Sequence, residues 1–225
     1  MQMVKTPYRK AIGSLMYAAV ATQPDIAFAV STLSQFLSNP GEVHWEQVKH
    51  ILRYLSSTKH HLLTYGNEHH DLIGFTDADG ASQEHCQAIL GFVFLIDRAA
   101  ISWASCKQEL VTLSTAKTEY VTATHAAKDC IWLRRLIKPF LEPPSILTTL
   151  YCDNQAALRL ATDNNYHART KHIDIRFHFI HQTIKDGHIK MEYCPTEEMT
   201  TDILTKALLK FKVVVHLLAL RICCP

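Results

Sequence analysis

The sequence lacks the cysteine patterns that identify a disulfide-stapled or zinc-finger protein. Seven cysteines, an odd number, are spread over 225 residues, and none of them forms a CxxC pair. No histidine cluster has zinc-finger spacing. Cys223 and Cys224 are adjacent, which disfavours a bridge between the two. We therefore expect a reduced, intracellular protein rather than a secreted disulfide scaffold.

A secretory signal and a membrane-spanning run are missing too. The first residues, MQMVKTP, do not contain the long apolar core of a signal peptide. The one suspicious apolar run, residues 213–224, is interrupted by His216 and Arg221 and is shorter than the ~20 apolar residues that cross a bilayer. These absences predict that the protein has no membrane partner.

The sequence has no large excess of charge of one sign. Its net charge is +2 at pH 7 with histidines neutral, so charge alone does not indicate a strongly basic nucleic-acid-binding domain. The 14 histidines add positive charge that this value omits, because each is partly protonated near neutral pH. Hydrophobic residues make up 48% of the chain, which is enough for a buried core in one large or two small domains.

The chain changes from a helical to a mixed pattern after residue 66. Residues 7–37 repeat apolar side chains at helical spacing, with Pro24 expected to divide them into two helices, and EVHWEQVKHILRYLSST predicts a third. The later elements follow the order β-β-β-α-β-α-α-β-α, with Asp97-Arg98 at a turn and Ser114 capping the long helix. This order predicts an α/β sandwich with antiparallel strands first and parallel crossovers later.

Four acids stand at predicted element ends or on exposed faces. Asp77 ends the first strand, Glu119 lies early in the long helix, Asp153 ends the fourth strand, and Asp202 lies in the last helix. If the first and fourth strands are neighbours, Asp77 and Asp153 emerge at the edge where open α/β sheets bind ligands. Crowded carboxylates repel one another, and divalent cations remove that cost. Two hard cations held by such a cluster suit the hydrolysis of a phosphodiester.

Each of these acids also has a structural reading when it is taken alone. Asp77 begins the turn-like string DADG. Glu119 and Asp202 are acids in early helical turns, where the helix dipole favours negative charge. Asp153 directly precedes a helical pattern and could be its N-cap. No single acid therefore carries a functional conclusion.

Long strings of the chain resemble the C-terminal part of the polyprotein of copia-type retrotransposons, which holds the end of the reverse transcriptase and the ribonuclease H domain. The matching strings are YRKAIGSLMYAAVATQPDIAFAVSTLSQF, HWEQVKHILRYLSSTKHHLLTYG, GFTDADGASQ, AISWASCKQELVTLSTAKTEY, LYCDNQAALRLA, HARTKHIDIRFHFI and DILTKAL. The resemblance covers residues 7–210. It implies a ribonuclease H-like mixed five-stranded sheet flanked by helices, preceded by a small helical connection region.

The same resemblance implies domain limits. Residues 1–66 would be the helical end of the reverse transcriptase, residues 67–210 the ribonuclease H-like domain, and residues 211–225 an apolar tail. The aspartate cluster of a polymerase is not in these residues, so we expect no polymerase activity from this fragment.

A function and a site follow as expectations from the resemblance. It implies two-metal endonucleolytic hydrolysis of the RNA strand of RNA–DNA hybrids, with Asp77, Glu119, Asp153 and Asp202 as catalytic residues and metal ligands. Two Mg²⁺ ions are the expected cofactors, with Mn²⁺ as a substitute, and Asp77 is expected to bind both. The expected partners are the hybrid and the remainder of the retrotransposon polyprotein. The expected location is a cytoplasmic retrotransposon particle or the nucleus.

Departures from the family pattern keep an alternative open. STAKTEY has Lys117 where the family usually has an acid, and Thr201 replaces the usual alanine before Asp202. The alternative is a catalytically weak or inactive nucleic-acid-binding remnant of the same polyprotein. An integrase or transposase core is a third reading, because Glu192 stands 39 residues after Asp153. That glutamate belongs on a helix, however, and IKMEY is a strand pattern.

A basic segment, NNYHARTKHIDIRFHFIHQTIKDG, is the predicted nucleic-acid contact. Basic side chains on a helix bind the phosphate backbone without reading sequence. The predicted contact residues are Arg169, Lys171, His172, Arg176 and, beside Asp153, Asn154. The alternative for this segment is a solvated helix face above a buried apolar stripe.

Overall fold

The computed structural model of this chain describes residues 6–66, 71–80, 88–109, 114–140, 147–162 and 174–224, with side chains from 178 onward in the last range. Within these ranges, no helix has both the length and the hydropathy needed to cross a membrane.

Three helices form the N-terminal part, as the apolar spacing predicts. They are α1 (Tyr8–Ala21), α2 (Ala27–Ser34) and α3 (Glu42–Ser57). Pro24, which has no N–H and a fixed φ, begins a short 3₁₀ turn, Pro24–Ile26, that separates α1 from α2. The Tyr8 hydroxyl donates a 2.8 Å hydrogen bond to the carbonyl of Leu33 and ties the two helices together.

A mixed five-stranded sheet follows, and it confirms the predicted fold class. After the short strand β1 (Leu62–Leu63), its strands are β2 (Ile73–Asp79), β3 (Ile89–Ile96), β4 (Ala99–Lys107), β5 (Thr148–Cys152) and β6 (Ile189–Tyr193). The spatial order is β4-β3-β2-β5-β6. The β2–β3 and β3–β4 pairs are antiparallel, whereas β2–β5 and β5–β6 are parallel. The predicted turn at Asp97-Arg98 joins β3 to β4 with φ of 54° and 62°, values that a two-residue hairpin needs.

In the described ranges, five further α-helices connect or follow these strands. They are α4 (Thr115–Ile137), α5 (Gln155–Thr162), α6 (Asp174–Lys185), α7 (Asp202–Thr205) and α8 (Lys210–Ala219). Ser114 caps α4 as predicted, since its hydroxyl accepts a 3.3 Å hydrogen bond from the N–H of Lys117. The order of elements from β2 to α7 is the predicted one.

The two faces of the sheet bury two different cores. Successive side chains of β3 alternate between them: Val93 and Leu95 pack with the N-terminal helices, whereas Phe92 and Phe94 pack with α4. The same alternation places Phe75 of β2 on the first core and Leu150 of β5 on the second.

The C-terminal segment packs on the first core. Leu217 and Leu220 of this segment are buried there, and a last strand, β7 (Ile222–Cys223), pairs antiparallel with β1. Residues 210–223 are thus a helix and a strand in contact with the N-terminal helices' core. The predicted boundaries at residues 66 and 210 stay predictions.

Gly91 of β3 lets α7 approach the sheet. A Cβ at this position would lie 2.5 Å from Cγ2 of Thr205 and 3.1 Å from Cβ of Leu204. Asp77 is the residue of β2 that pairs with Gly91. The missing side chain at Gly91 therefore positions α7 directly beside Asp77.

We expect the Gly91→Ala substitution to destabilise the fold by about 1–3 kcal/mol, the usual cost of overpacking. Thr205 cannot rotate away cheaply, because its hydroxyl donates a hydrogen bond to Asp77. Chemical denaturation of the two proteins measures the difference.

Gly13→Ala is the matched control. Gly13 lies inside α1 with no atom within 4 Å of an added Cβ, so alanine should be neutral or stabilising by up to ~1 kcal/mol. Equal stability of the Gly91→Ala variant and the parent would contradict the close approach of α7.

Candidate active site

Asp77 is a buried strand residue, only 2% exposed, and is not part of a turn. The Thr205 hydroxyl donates a hydrogen bond to Oδ2 of Asp77, and Nζ of Lys206 lies 3.2 Å from the same oxygen. Burial raises the pKa of Asp77 above its usual value, and Lys206 and Thr205 offset only part of this effect.

Asp202 is the first residue of α7 and is 5% exposed. Lys206 Nζ donates a 2.8 Å hydrogen bond to Oδ1 of Asp202. Lys206 therefore contacts both Asp202 and Asp77. Burial lowers the pKa of Lys206, but the two carboxylates raise it by more, so that its pKa lies above the usual value. One ammonium group thus offsets the repulsion between two buried acids.

Glu119 faces the end of the sheet from α4 and is 5% exposed, so it is not a solvated early-helix acid. The N–H of Ala78 in β2 donates a 3.1 Å hydrogen bond to Oε1. Oε2 is buried and has no hydrogen-bond partner among the residues that the structure describes. Burial, followed by repulsion from Asp77 and Asp153, raises the pKa of Glu119 to about 9.

Asp153 follows β5 and is not the helix cap. Thr196 donates a 2.9 Å hydrogen bond from its hydroxyl to Oδ2 of Asp153. The N-cap of α5 is the next residue, Asn154, whose Oδ1 accepts 3.0 Å hydrogen bonds from the N–H groups of Ala156 and Ala157. The capping interpretation of Asp153 was wrong by one residue, which leaves its carboxylate available to the site.

The sheet brings the four predicted acids together at one end. Thr76 of β2 pairs with Cys152 of the parallel neighbour β5, so Asp77 and Asp153 are the next residues on adjacent strands. This is the predicted juxtaposition. Electrostatic interaction links Glu119 to Asp77 and Asp153, and Lys206 links Asp77 to Asp202. Which of these acids act in catalysis stays a prediction.

Three residues of this site were not predicted from the sequence. Lys206 stands four residues after Asp202, so the helical i, i+4 rule could have found that ion pair. Nothing in the sequence pattern indicates the contact between Thr205 and Asp77. Cys152 is fully buried at the end of β5, and its Sγ lies near Glu119 and Asp153. Burial and the neighbouring Glu119 carboxylate raise the pKa of the Cys152 thiol.

Most of the predicted nucleic-acid contacts cannot be placed. Arg169, Lys171 and His172 lie outside the described residues, and Arg176 belongs to α6 in the part where only the backbone is described. Asn154 has its side-chain oxygen engaged in capping α5.

Lys117, Thr201 and Glu192, the residues on which the alternative functions depend, lie within the described ranges. Lys117 is half-buried in the first turn of α4, and Thr201 is fully buried before Asp202 with a hydroxyl that has no partner in the described part of the chain. Glu192 lies on β6, where its carboxylate is 2.7 Å from Nζ of Lys190. Its place on a strand agrees with the sequence argument against an integrase core.

No family model matches the chain. Among curated proteins, it is 45% identical over 206 residues to the retrovirus-related Pol polyprotein from transposon TNT 1-94 of Nicotiana tabacum, covering 91% of this chain and 15% of that protein. It is 36% identical over 210 residues to the Pol polyprotein from transposon RE1 of Arabidopsis thaliana, covering 90% and 14%. The chain thus spans about 15% of the length of these relatives.

A solved structure shares the fold. The foamy viral protease-reverse transcriptase in complex with RNA/DNA hybrid matches with a TM-score of 0.52 at 13% identity, covering 90% of this chain and 26% of that one. The mixed sheet and its flanking helices are of the ribonuclease H-like class that the sequence predicts.

We expect Lys206→Met to destabilise the protein by roughly 1–3 kcal/mol in the absence of divalent cations, because it leaves buried charge without a partner. Mg²⁺ should restore part of the loss, since a divalent cation also offsets the repulsion between Asp77 and Asp202. Thermal unfolding with and without Mg²⁺ measures both effects.

Lys49→Met serves as the control for removing a lysine. Lys49 pairs with Glu46 on the surface, with side chains 39% and 58% exposed, so its loss should cost below ~1 kcal/mol and show no Mg²⁺ dependence. A Lys206→Met protein as stable as the parent without cations would show that Lys206 does not compensate these acids.

The raised pKa of Glu119 predicts a pH dependence of stability. Between the ordinary value of 4.5 and about 9, the folded protein keeps the Glu119 proton that the unfolded chain has lost. Stability must then fall as pH rises through this window. Glu119→Gln, neutral in both states, should lose less stability over the same window in chelator-treated samples. Parallel stability–pH curves for the two proteins would contradict the assignment.

Proposed function

We infer a ribonuclease H function for this chain, because it belongs to the copia-type family of retrovirus-related Pol polyproteins. We propose that it cleaves the RNA strand of RNA–DNA hybrids endonucleolytically. The observation that carries the proposal is the meeting of Asp77, Glu119, Asp153 and Asp202 at one end of the sheet.

The donor set fits hard divalent cations. Carboxylate oxygens are the ligands that Mg²⁺ prefers, and the unpartnered Oε2 of Glu119 is buried among further acids. Asp77, Glu119, Asp153 and Asp202 would hold two Mg²⁺ ions, or Mn²⁺ in their place. Two such ions supply activation of the attacking water and stabilisation of the leaving oxygen.

The surrounding residues preorganise these carboxylates. Thr205 fixes Asp77, Thr196 orients Asp153, and the Ala78 N–H fixes one oxygen of Glu119. Ligands held in place before the ion arrives need little reorganisation when it binds. Lys206 competes with a cation for Asp77 and Asp202, so it sets how readily that half of the site accepts one.

A second candidate function is a weak or inactive nucleic-acid-binding remnant. The ion pairs of Lys206 favour it, because one ammonium group reduces the negative charge of Asp77 and Asp202 without any metal. Both candidates share the same partners, an RNA–DNA hybrid and the remainder of the polyprotein. For both, we propose a retrotransposon particle in the cytoplasm or the nucleus as the location.

A cleavage assay separates the two functions. The purified chain is incubated with a labelled RNA–DNA hybrid and Mg²⁺ beside Asp153→Asn, which keeps the size of the side chain and removes its charge. We expect the parent to cut the RNA strand and the variant to be slower by roughly 100-fold or more, as when one electrostatic contact with a transition state is lost.

Asp71→Asn is the control, because Asp71 is exposed and lies before β2, away from the four acids. It should cleave like the parent. Hybrid binding without cleavage by the parent would favour the remnant, and equal cleavage by Asp153→Asn would contradict the assigned site. Strand joining would favour an integrase core.

A further inference from the structure

Cys152 is a thiol among the carboxylates at the end of the sheet. It is the last residue of β5 and is fully buried. Its Sγ, a carboxylate oxygen of Glu119 and a carboxylate oxygen of Asp153 all lie within 4.8 Å of one another. The N–H of Asn154 also points to this sulfur at 3.4 Å. One sulfur and two carboxylate oxygens, all possible metal ligands, therefore lie close together.

Glu119 gives a second indication that this point suits a cation. The residue is 5% exposed, and its Oε2 has no hydrogen-bond partner in the described part of the chain. A buried acid with an unpartnered oxygen is costly, and a cation removes that cost.

Charge compensation in this site is one-sided. Lys206 contacts Asp77 and Asp202. No lysine, arginine or histidine forms an ion pair with Glu119 or Asp153 within the described ranges. The two acids beside Cys152 are thus the ones without an ion-pair partner in the described part of the chain.

We propose that Glu119, Cys152 and Asp153 form a binding site for a thiophilic divalent cation of the Zn²⁺ and Cd²⁺ class. One sulfur and two carboxylate oxygens are donors that zinc accepts, with water as a fourth ligand. Ligand atoms around a tetrahedral zinc lie roughly 3.3–3.8 Å apart, given bonds of ~2.0–2.3 Å. The three side chains need to close only slightly from their separations of up to 4.8 Å.

The donor set discriminates between cations. Thiolate ligands select zinc-like ions, whereas Mg²⁺ prefers oxygen donors only. A bound Zn²⁺ also favours the thiolate form of its own ligand. Cys152 therefore adds affinity for the thiophilic ion and none for Mg²⁺.

Inhibition is the functional consequence, and this part rests on the proposed ribonuclease function. A thiophilic ion on Glu119 and Asp153 takes two of the four carboxylates that the proposed reaction uses. Zn²⁺ would then inhibit hybrid cleavage in the presence of Mg²⁺, and the inhibition would depend on Cys152.

The test of binding is a Cd²⁺ titration of the full chain, followed by the ultraviolet charge-transfer absorption of cadmium–thiolate bonds. Cys152→Ser should lose the absorption of one thiolate relative to the parent. Cys130→Ser is the matched control, because Cys130 is equally buried but lies on α4, in the second core, and it should titrate like the parent. Identical titrations of the two serine variants would overturn the proposal.

Asp153→Asn keeps the test decisive if Cys152→Ser does not fold. This side chain is only half-buried, and its loss as a ligand should weaken Cd²⁺ binding at least about tenfold, the scale set by supporting residues of metal sites. Unchanged affinity would also overturn the proposal.

Cadmium absorption and hybrid cleavage are measured separately, so each can fail without the other. A protein that cleaves hybrids but has no Cys152-dependent absorption keeps its ribonuclease function and loses the thiophilic site. A protein with that absorption and no cleavage keeps the site and contradicts the function.

Discussion

The contact of Lys206 with Asp77 and Asp202 joins α7 to the central strand of the sheet. Both acids are buried, and without a cation their charges would repel each other across the interface between α7 and β2. Lys206 supplies that cation from within the chain. It is 32% exposed as a side chain, so water and dissolved ions can still reach the pair.

The rest of the site is arranged around this interface. Gly91 permits the close approach of α7, and the Thr205 hydroxyl fixes Asp77. On the other side of the sheet, α4 brings in Glu119, which forms no ion pair within the described ranges. The negative charges of Asp77 and Asp202 are therefore partly offset by Lys206, whereas Glu119 and Asp153 have no ion-pair partner in the described ranges. A divalent cation would add the most electrostatic stabilisation beside Glu119 and Asp153. This uneven balance agrees with the proposed ribonuclease function, in which Lys206 would set how readily Asp77 and Asp202 accept a cation.

Local patterns in the sequence were enough to predict the order of elements, the cap at Ser114 and the meeting of Asp77 with Asp153. Each of these depends on spacing along one segment or on the general rule that parallel strands end at one edge. The exact residue that caps a helix was harder to predict. The sequence does not distinguish Asp153 from Asn154 as the cap of α5, because either side chain suits a helix start. The structure shows that Asn154 is the cap.

Contacts between distant segments could not be predicted from those patterns. The pairing of β7 with β1 joins residues 222–223 to residues 62–63, and no periodicity within either segment indicates it. Likewise, the convergence of Cys152 on Glu119 depends on how α4 packs against β5. The apolar run at the C-terminus packs on the first core, most of whose members are far away in the sequence, so nothing within the run indicates this contact.

The central claim is that the four acids form a site for divalent cations, and the positions of bound ions test it most directly. Crystals of the chain soaked in Mn²⁺ can be measured for anomalous scattering. We expect anomalous peaks in contact with Asp77, Glu119, Asp153 and Asp202, with Lys206 withdrawn from at least one carboxylate. Saturating Mn²⁺ that leaves no peak among these acids, with Lys206 still bridging Asp77 and Asp202, would contradict it.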